Sequence, residues 1–237
     1  IPLISGFGVA VGYVGTLVGL AVYPFVGEMD YYRAFIPSAL LFLLFSFPLF
    51  FFVKEEAEKA DALKRKAGLF AGYRDIYATL KEMKKYQNIF TFMIAYFFLN
   101  DAVATTIAIM SVYAKVIAGF TAGEFILLYL VSTVSSIIGS FLFGYITRSK
   151  GAKKAVLYVG IVMCIALAIG VLAFSKLSFW IAGSLFGVSL GAMWVTSRTY
   201  IVELSPPDKQ GQFFGLFAFS GKVSAIIGPA IYGSITL

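Results

Sequence analysis

GQFFGLFAFSGKVSAIIGPAIYGSITL, residues 211–237, is long and apolar enough to cross a bilayer, yet it carries one charge, Lys222, near its middle. A crossing helix needs about 20 apolar residues. An ionisable side chain inside one is costly, and it faces a bundle interior or a wet cavity where a partner offsets the cost. Lys222 lies eleven residues beyond Gly211, which at ~1.5 Å per residue sets it roughly 16 Å deep, near the middle of a ~30 Å hydrocarbon layer. Its partner must reach that depth.

The composition agrees. With 60% hydrophobic residues, 13% charged residues and a mean hydropathy of +0.89, the chain has too little polar surface to cover a water-soluble fold. The net charge of +7 does not point to nucleic acid, because the basic residues cluster in short loops between apolar runs. A single cysteine, Cys164, excludes an internal disulfide, and the lack of histidine removes the commonest metal ligand and acid-base group. No metal, no cofactor and no bond-making chemistry are expected. The chain starts Ile-Pro and ends within an apolar run, so a longer parent protein is expected.

Seven apolar runs follow one another at about 4–27, 32–53, 88–117, 122–147, 154–174, 177–200 and 211–237. The fold class is therefore all-α, a polytopic bundle of about seven transmembrane helices with the lipid bilayer as its surroundings. Between the second and third runs, residues 54–87 hold nine basic side chains: Lys54, Lys59, Lys64, Arg65, Lys66, Arg74, Lys81, Lys84 and Lys85. That excess places the segment on the cytoplasmic side, and the turns at 148–153 and 201–210 then fall on the same side. Within it, Tyr73, Ile76, Tyr77, Leu80 and Met83 recur at helical spacing opposite basic residues, which predicts a helix lying along the membrane surface over 73–83.

Two kinds of feature stand out inside the runs. In the first run, Gly8, Gly12, Gly15 and Gly19 form a small-residue ridge, matched by Ser132, Ser136, Ser140 and Gly144 in the fourth and by Gly183, Gly187 and Gly191 in the sixth. Such ridges let helix backbones approach closely, and the first and fourth helices are expected to pack along theirs. The third run, FMIAYFFLNDAVATT, sets Asn100 and Asp101 at nearly the depth of Lys222, with Tyr96 one turn before Asn100 and Thr105 one turn after Asp101. Asp101 and Lys222 are expected to share an interior cavity. Either they form a structural pair that orients helices, or they are charged determinants of a solute or coupling-ion site, with Asn100 and Tyr96 supplying hydrogen bonds or stacking and Asp101 able to carry a proton. At the end of the sixth run, Arg198 either snorkels to the interface or pairs with Glu203 or another acid as a latch.

The turn between the fourth and fifth runs, GYITRSKGAKK, resembles the loop motif of the major facilitator superfamily, with Gly144, Gly151, Lys153 and Lys154 in matching places. Arg148 departs from the pattern, which has aspartate there. The opening SGFGVAVGYVG, the YFFLND of the third run and SRTYIVELSPPDKQGQFFGLFAFSGKVSAIIGP resemble the branch related to autophagy-linked vacuolar amino-acid effluxers. That resemblance implies a twelve-helix transporter in two six-helix halves, of which this chain holds helices five to eleven. Residues 1–53 would be the last two helices of the N-terminal half, 54–87 the cytoplasmic linker, and 88–237 the C-terminal half without its last helix.

The function expected is a secondary transporter that moves a small polar solute, an amino acid by resemblance, through alternating access in the cell membrane rather than the vacuolar membrane. Oligomeric state is not legible. Two other classes are weighed. A complete seven-helix photoreceptor would use Lys222 and Asp101, but its topology would put the nine-cation loop outside, against the positive-inside bias. A membrane scaffold without transport would show no flux.

Overall fold

A computed structural model describes residues 2–20, 35–52, 77, 85–173 and 175–236. They contain seven helices, one for each apolar run: α1 (Pro2–Leu20), α2 (Phe35–Phe52), α3 (Gln87–Ala118), α4 (Ala122–Lys150), α5 (Ala152–Val171), α6 (Lys176–Leu204) and α7 (Gln210–Thr236). All seven are long and apolar enough to cross a membrane. The fold is all-α, as lipid demands of a chain that must satisfy every backbone group within its own helices. The surface helix expected over 73–83 lies outside the described residues except for Tyr77.

Two compact units divide the chain, Ile1–Val14 with Met83–Leu237, and Gly15–Glu82. In the smaller one, Gly15, Val18 and Gly19 border Ser38, Leu41, Phe42, Phe45 and Ser46 of α2. Phenylalanines are exposed all round α2, as suits a helix turned to lipid or to another apolar surface.

In the larger unit α6 is central. Of its apolar window 61% is buried, against at most 28% in every other helix. It packs on α4 and α5, while α7 packs chiefly on α3. The contact between α4 and α6 runs through glycine. A Cβ at Gly187 would overlap the backbone of Ser132, one at Gly191 that of Ser136, and one at Gly139 that of Val188. The Ser136 hydroxyl donates to the Gly187 carbonyl at 2.8 Å as well as to Ser132 of its own helix at 2.9 Å. With no hydrophobic drive between helices in lipid, such close backbone approach and such interhelical hydrogen bonds hold the pair.

The ridges of α4 and α6 thus pack on each other. The close approach of α1 to α4 is made by Gly6, where a Cβ would stand 2.9 Å from the Ser140 carbonyl oxygen, and by Gly144, 3.5 Å from that of Pro2. This differs from the expected ridge: a Cβ at Gly8 or Gly12 would meet nothing within 4 Å among the described residues. The reason is register. Gly8 and Gly12 are two and six residues past Gly6, about 160° and about 120° away around the helix.

Turn chemistry sets the helix ends. Gly119 closes α3 in the left-handed region at φ 64°. Thr121 and Glu124 then form a capping box: the Glu124 carboxylate accepts from the Thr121 N–H at 2.8 Å, and the Thr121 hydroxyl accepts from the Glu124 N–H at 3.3 Å. Lys176 reaches the same carboxylate at 2.6 Å from the start of α6 and lies 5.6 Å from the Phe120 ring centre.

Candidate functional site

One face of α3, formed by Ile89, Phe92, Met93, Tyr96, Asn100 and Val103, is buried. The spacing of three and four residues brings these side chains into one stripe. Opposite it, α7 presents Phe213, Phe217, Gly221, Ser224 and Gly228. The Tyr96 ring lies 4.1 Å from that of Phe217, and a Cβ at Gly221 would stand 3.0 Å from Tyr96. Next to it, the Asn100 amide donates to the Gly221 carbonyl at 2.7 Å and to the Ser224 hydroxyl at 2.8 Å. A turn further along, a Cβ at Gly228 would overlap both Asp101 Oδ1 and Thr105 Oγ1. Those two oxygens are buried and have no hydrogen-bond partner among the described residues.

Asn100, Tyr96 and Asp101 therefore converge on α7. The Asn100 contacts pin the two helices at one register, and replacing that amide by an isosteric apolar group removes both bonds. Asn100→Leu is expected to destabilise the folded protein by about 1 kcal/mol, since interhelical hydrogen bonds in membranes contribute on that order. A thermal denaturation midpoint equal to wild type would show that the amide does not hold the helices together.

Lys222 is not part of this cluster. It is exposed. Asn100 binds the carbonyl of its neighbour Gly221, so Lys222 stands at the level of that polar contact but points elsewhere. The residue that Asp101 meets on α7 is Gly228, six residues on, which is about 9 Å along the axis and about 120° around the helix from Lys222. No ion pair joins Asp101 and Lys222 among the described residues, so the reading of the two as a directly bonded structural pair is not what the fold shows. Depth follows from counting along a chain, whereas the direction of a side chain depends on which face its helix buries.

Arg198 is also exposed, on a helix that is otherwise largely enclosed. Its guanidinium lies 5.4 Å from the centre of the Trp194 ring, one turn before it. It does not pair with Glu203, because five residues place the two side chains about 140° apart around α6. Tyr13 of α1 lies within hydrogen-bonding reach of Ser136 and Trp194 and within electrostatic range of Arg198, which Tyr96 of α3 shares. The sequence signals missed here were Tyr13 and Trp194, aromatic residues among many in apolar runs.

The loop-motif residues occupy the α4–α5 turn. Gly144 packs against the start of α1, and Gly151 turns the chain at φ 85° with its N–H bonded to the Thr147 carbonyl at 3.0 Å. Arg148, Lys153 and Lys154 are exposed. The two lysines stand beside an open cleft of about 1000 Å³ between α3 and α5, walled by Leu99, Leu157, Gly160 and Ile161.

Comparison with known proteins adds the following. A family described as vacuole effluxer Atg22 like matches residues 2–236. An uncharacterized MFS-type transporter of Bacillus subtilis, YxiO, is 27% identical over 97% of this chain and 55% of its own length. Autophagy-related protein 22-1 of Aspergillus niger is 22% identical over 98% of this chain and 42% of its own length. Autophagy-related protein 22 of Vanderwaltozyma polyspora is 24% identical, over 99% and 51%. The chain spans about half the length of these relatives. The preference for the cell membrane finds no support in them, since the family description names the vacuole.

Proposed function

Because this chain belongs to the vacuole effluxer Atg22-like family, a branch of the major facilitator superfamily, we propose that the protein of which it is a part is a secondary transporter moving a small polar solute by alternating access. The solute class we propose is amino acids, by extension from the effluxers this branch resembles. Residues 1–53 and 88–237 belong on this reading to two halves that rock about a midplane site, with 54–87 linking them on the cytoplasmic side.

The observation that carries the reading is the polar cluster where α3 meets α7. Bilayer-spanning helices rarely hold polar and ionisable groups unless function requires them. Here Asn100 locks α3 to α7, while Asp101 and Thr105 keep two buried oxygens without hydrogen-bond partners among the described residues. Asp101 is the acid positioned to exchange a proton as the site changes sides, and Tyr96 borders it with an aromatic face. The smooth glycine contact of α4 with α6 gives the half a rigid body to move as one piece.

Uptake of labelled solutes by the full-length protein in proteoliposomes tests this. A panel of amino acids, sugars and nucleosides is expected to yield saturable uptake of at least one amino acid. Saturable uptake of sugars or nucleosides alone would remove the amino-acid assignment, and no uptake in either direction across the panel would remove the transporter.

A further inference from the structure

We infer that Arg198, with Trp194 beneath it and Tyr13 nearby, forms an anion-binding subsite that takes the carboxylate of a solute whose apolar or aromatic body lies against Trp194. The inference rests on the transporter reading for its solute but not for its geometry. An exposed arginine on a lipid-facing helix is commonly a snorkelling residue, with its neighbours exposed as well. Arg198 is different. The residues flanking it on α6, Val195, Thr196, Ser197 and Thr199, are all buried. It is an exposed cation on a stretch of α6 whose adjoining side chains are buried.

The guanidinium is held from below by the Trp194 face at 5.4 Å. Its planar fork of N–H donors is the group that recognises a carboxylate in bidentate fashion. No carboxylate pairs with it among the described residues; Glu203 sits on another face of α6, and Glu124 is engaged by Lys176. Tyr13, within reach of Ser136 and Trp194, supplies a hydroxyl beside the same ring. A cation, an aromatic floor and a neighbouring hydroxyl together suit a solute with an anionic end and an apolar body.

The test is equilibrium binding to the detergent-solubilised full-length protein. The probes are labelled 3-phenylpropionate, which has the carboxylate and ring, and phenethylamine, which has the ring and a cation instead. Wild type is expected to bind 3-phenylpropionate saturably and phenethylamine at least about tenfold more weakly. Arg198→Gln should weaken 3-phenylpropionate about tenfold or more, the size of a lost charge-assisted contact, while its melting temperature without probe stays at the wild-type value. Arg198→Lys serves if the glutamine variant fails to fold; it keeps the charge, loses the fork, and should weaken the probe by a smaller factor. Equal affinity of wild type and either folded variant for 3-phenylpropionate, equal binding of both probes, or no saturable binding by wild type each overturns the subsite. Flux measured in parallel separates the two claims: Arg198-dependent binding without transport keeps the subsite and removes the transporter, and transport without it does the reverse.

Discussion

Gly191→Leu is expected to prevent the C-terminal helices from assembling. The reason is geometric: a single carbon added at Gly191 already overlaps the Ser136 backbone, and at Gly187 that of Ser132. Backbone cannot rotate away as a flexible side chain does, so α4 and α6 would have to separate along their whole seam. Overpacking of a close-packed contact typically costs about 1–3 kcal/mol, and a leucine against backbone should reach about 3 kcal/mol or more. Separation would also break the Ser136 to Gly187 hydrogen bond. Gly123→Ala is the control, since a Cβ there meets nothing within 4 Å among the described residues. Size-exclusion and thermal-denaturation profiles of the full-length variants measure the difference. A Gly191→Leu protein as stable and monodisperse as Gly123→Ala would refute the seam.

The second large effect concerns transport. Asp101→Asn keeps the size and one oxygen of the side chain, so it is expected to leave folding and membrane insertion intact while removing the ability to bind a proton there. If Asp101 couples proton and solute, uptake driven by a pH gradient should fall on the order of 10- to 100-fold, the range of common coupling free energies. Exchange of solute across equal pH on both sides should suffer less. A purely structural role predicts otherwise: helix packing against Gly228 survives in the asparagine variant, and gradient-driven uptake would then match wild type. That outcome would take Asp101 out of the mechanism.

The helices are far more visible in the residues than the directions their side chains face. Crossing helices were plain, because lipid requires long apolar runs and tolerates few departures; α3, α4 and α6 begin and end within a few residues of the expected runs. Glycine at φ 85° in the α4–α5 turn and the Thr121–Glu124 capping box follow from local chemistry, although the box had gone unused as a signal. Direction was the obscure part. In helices apolar on every side, no amphipathic contrast marks the buried face, so the choice among glycine ridges fell to contacts between distant segments. Gly6 rather than Gly8 meets α4 for that reason. For the same reason the depth count that sets Asp101 level with Lys222 does not tell that Gly228 is the residue of α7 against Asp101. For Arg198 the chain offers snorkelling or an acid such as Glu203 as alternatives, and the Trp194 ring beside it comes only with the fold.

Counterflow tests the central claim most directly. Proteoliposomes holding the full-length protein are preloaded with an unlabelled amino acid that it takes up, then diluted into a trace of the labelled form. A carrier that exposes its site to one side at a time exchanges label inward faster than the pool runs down, so internal label should rise transiently above its equilibrium level and then decay. A steady approach to equilibrium without overshoot, as a channel gives, or no protein-dependent entry at all, as a scaffold gives, would contradict alternating access by this protein.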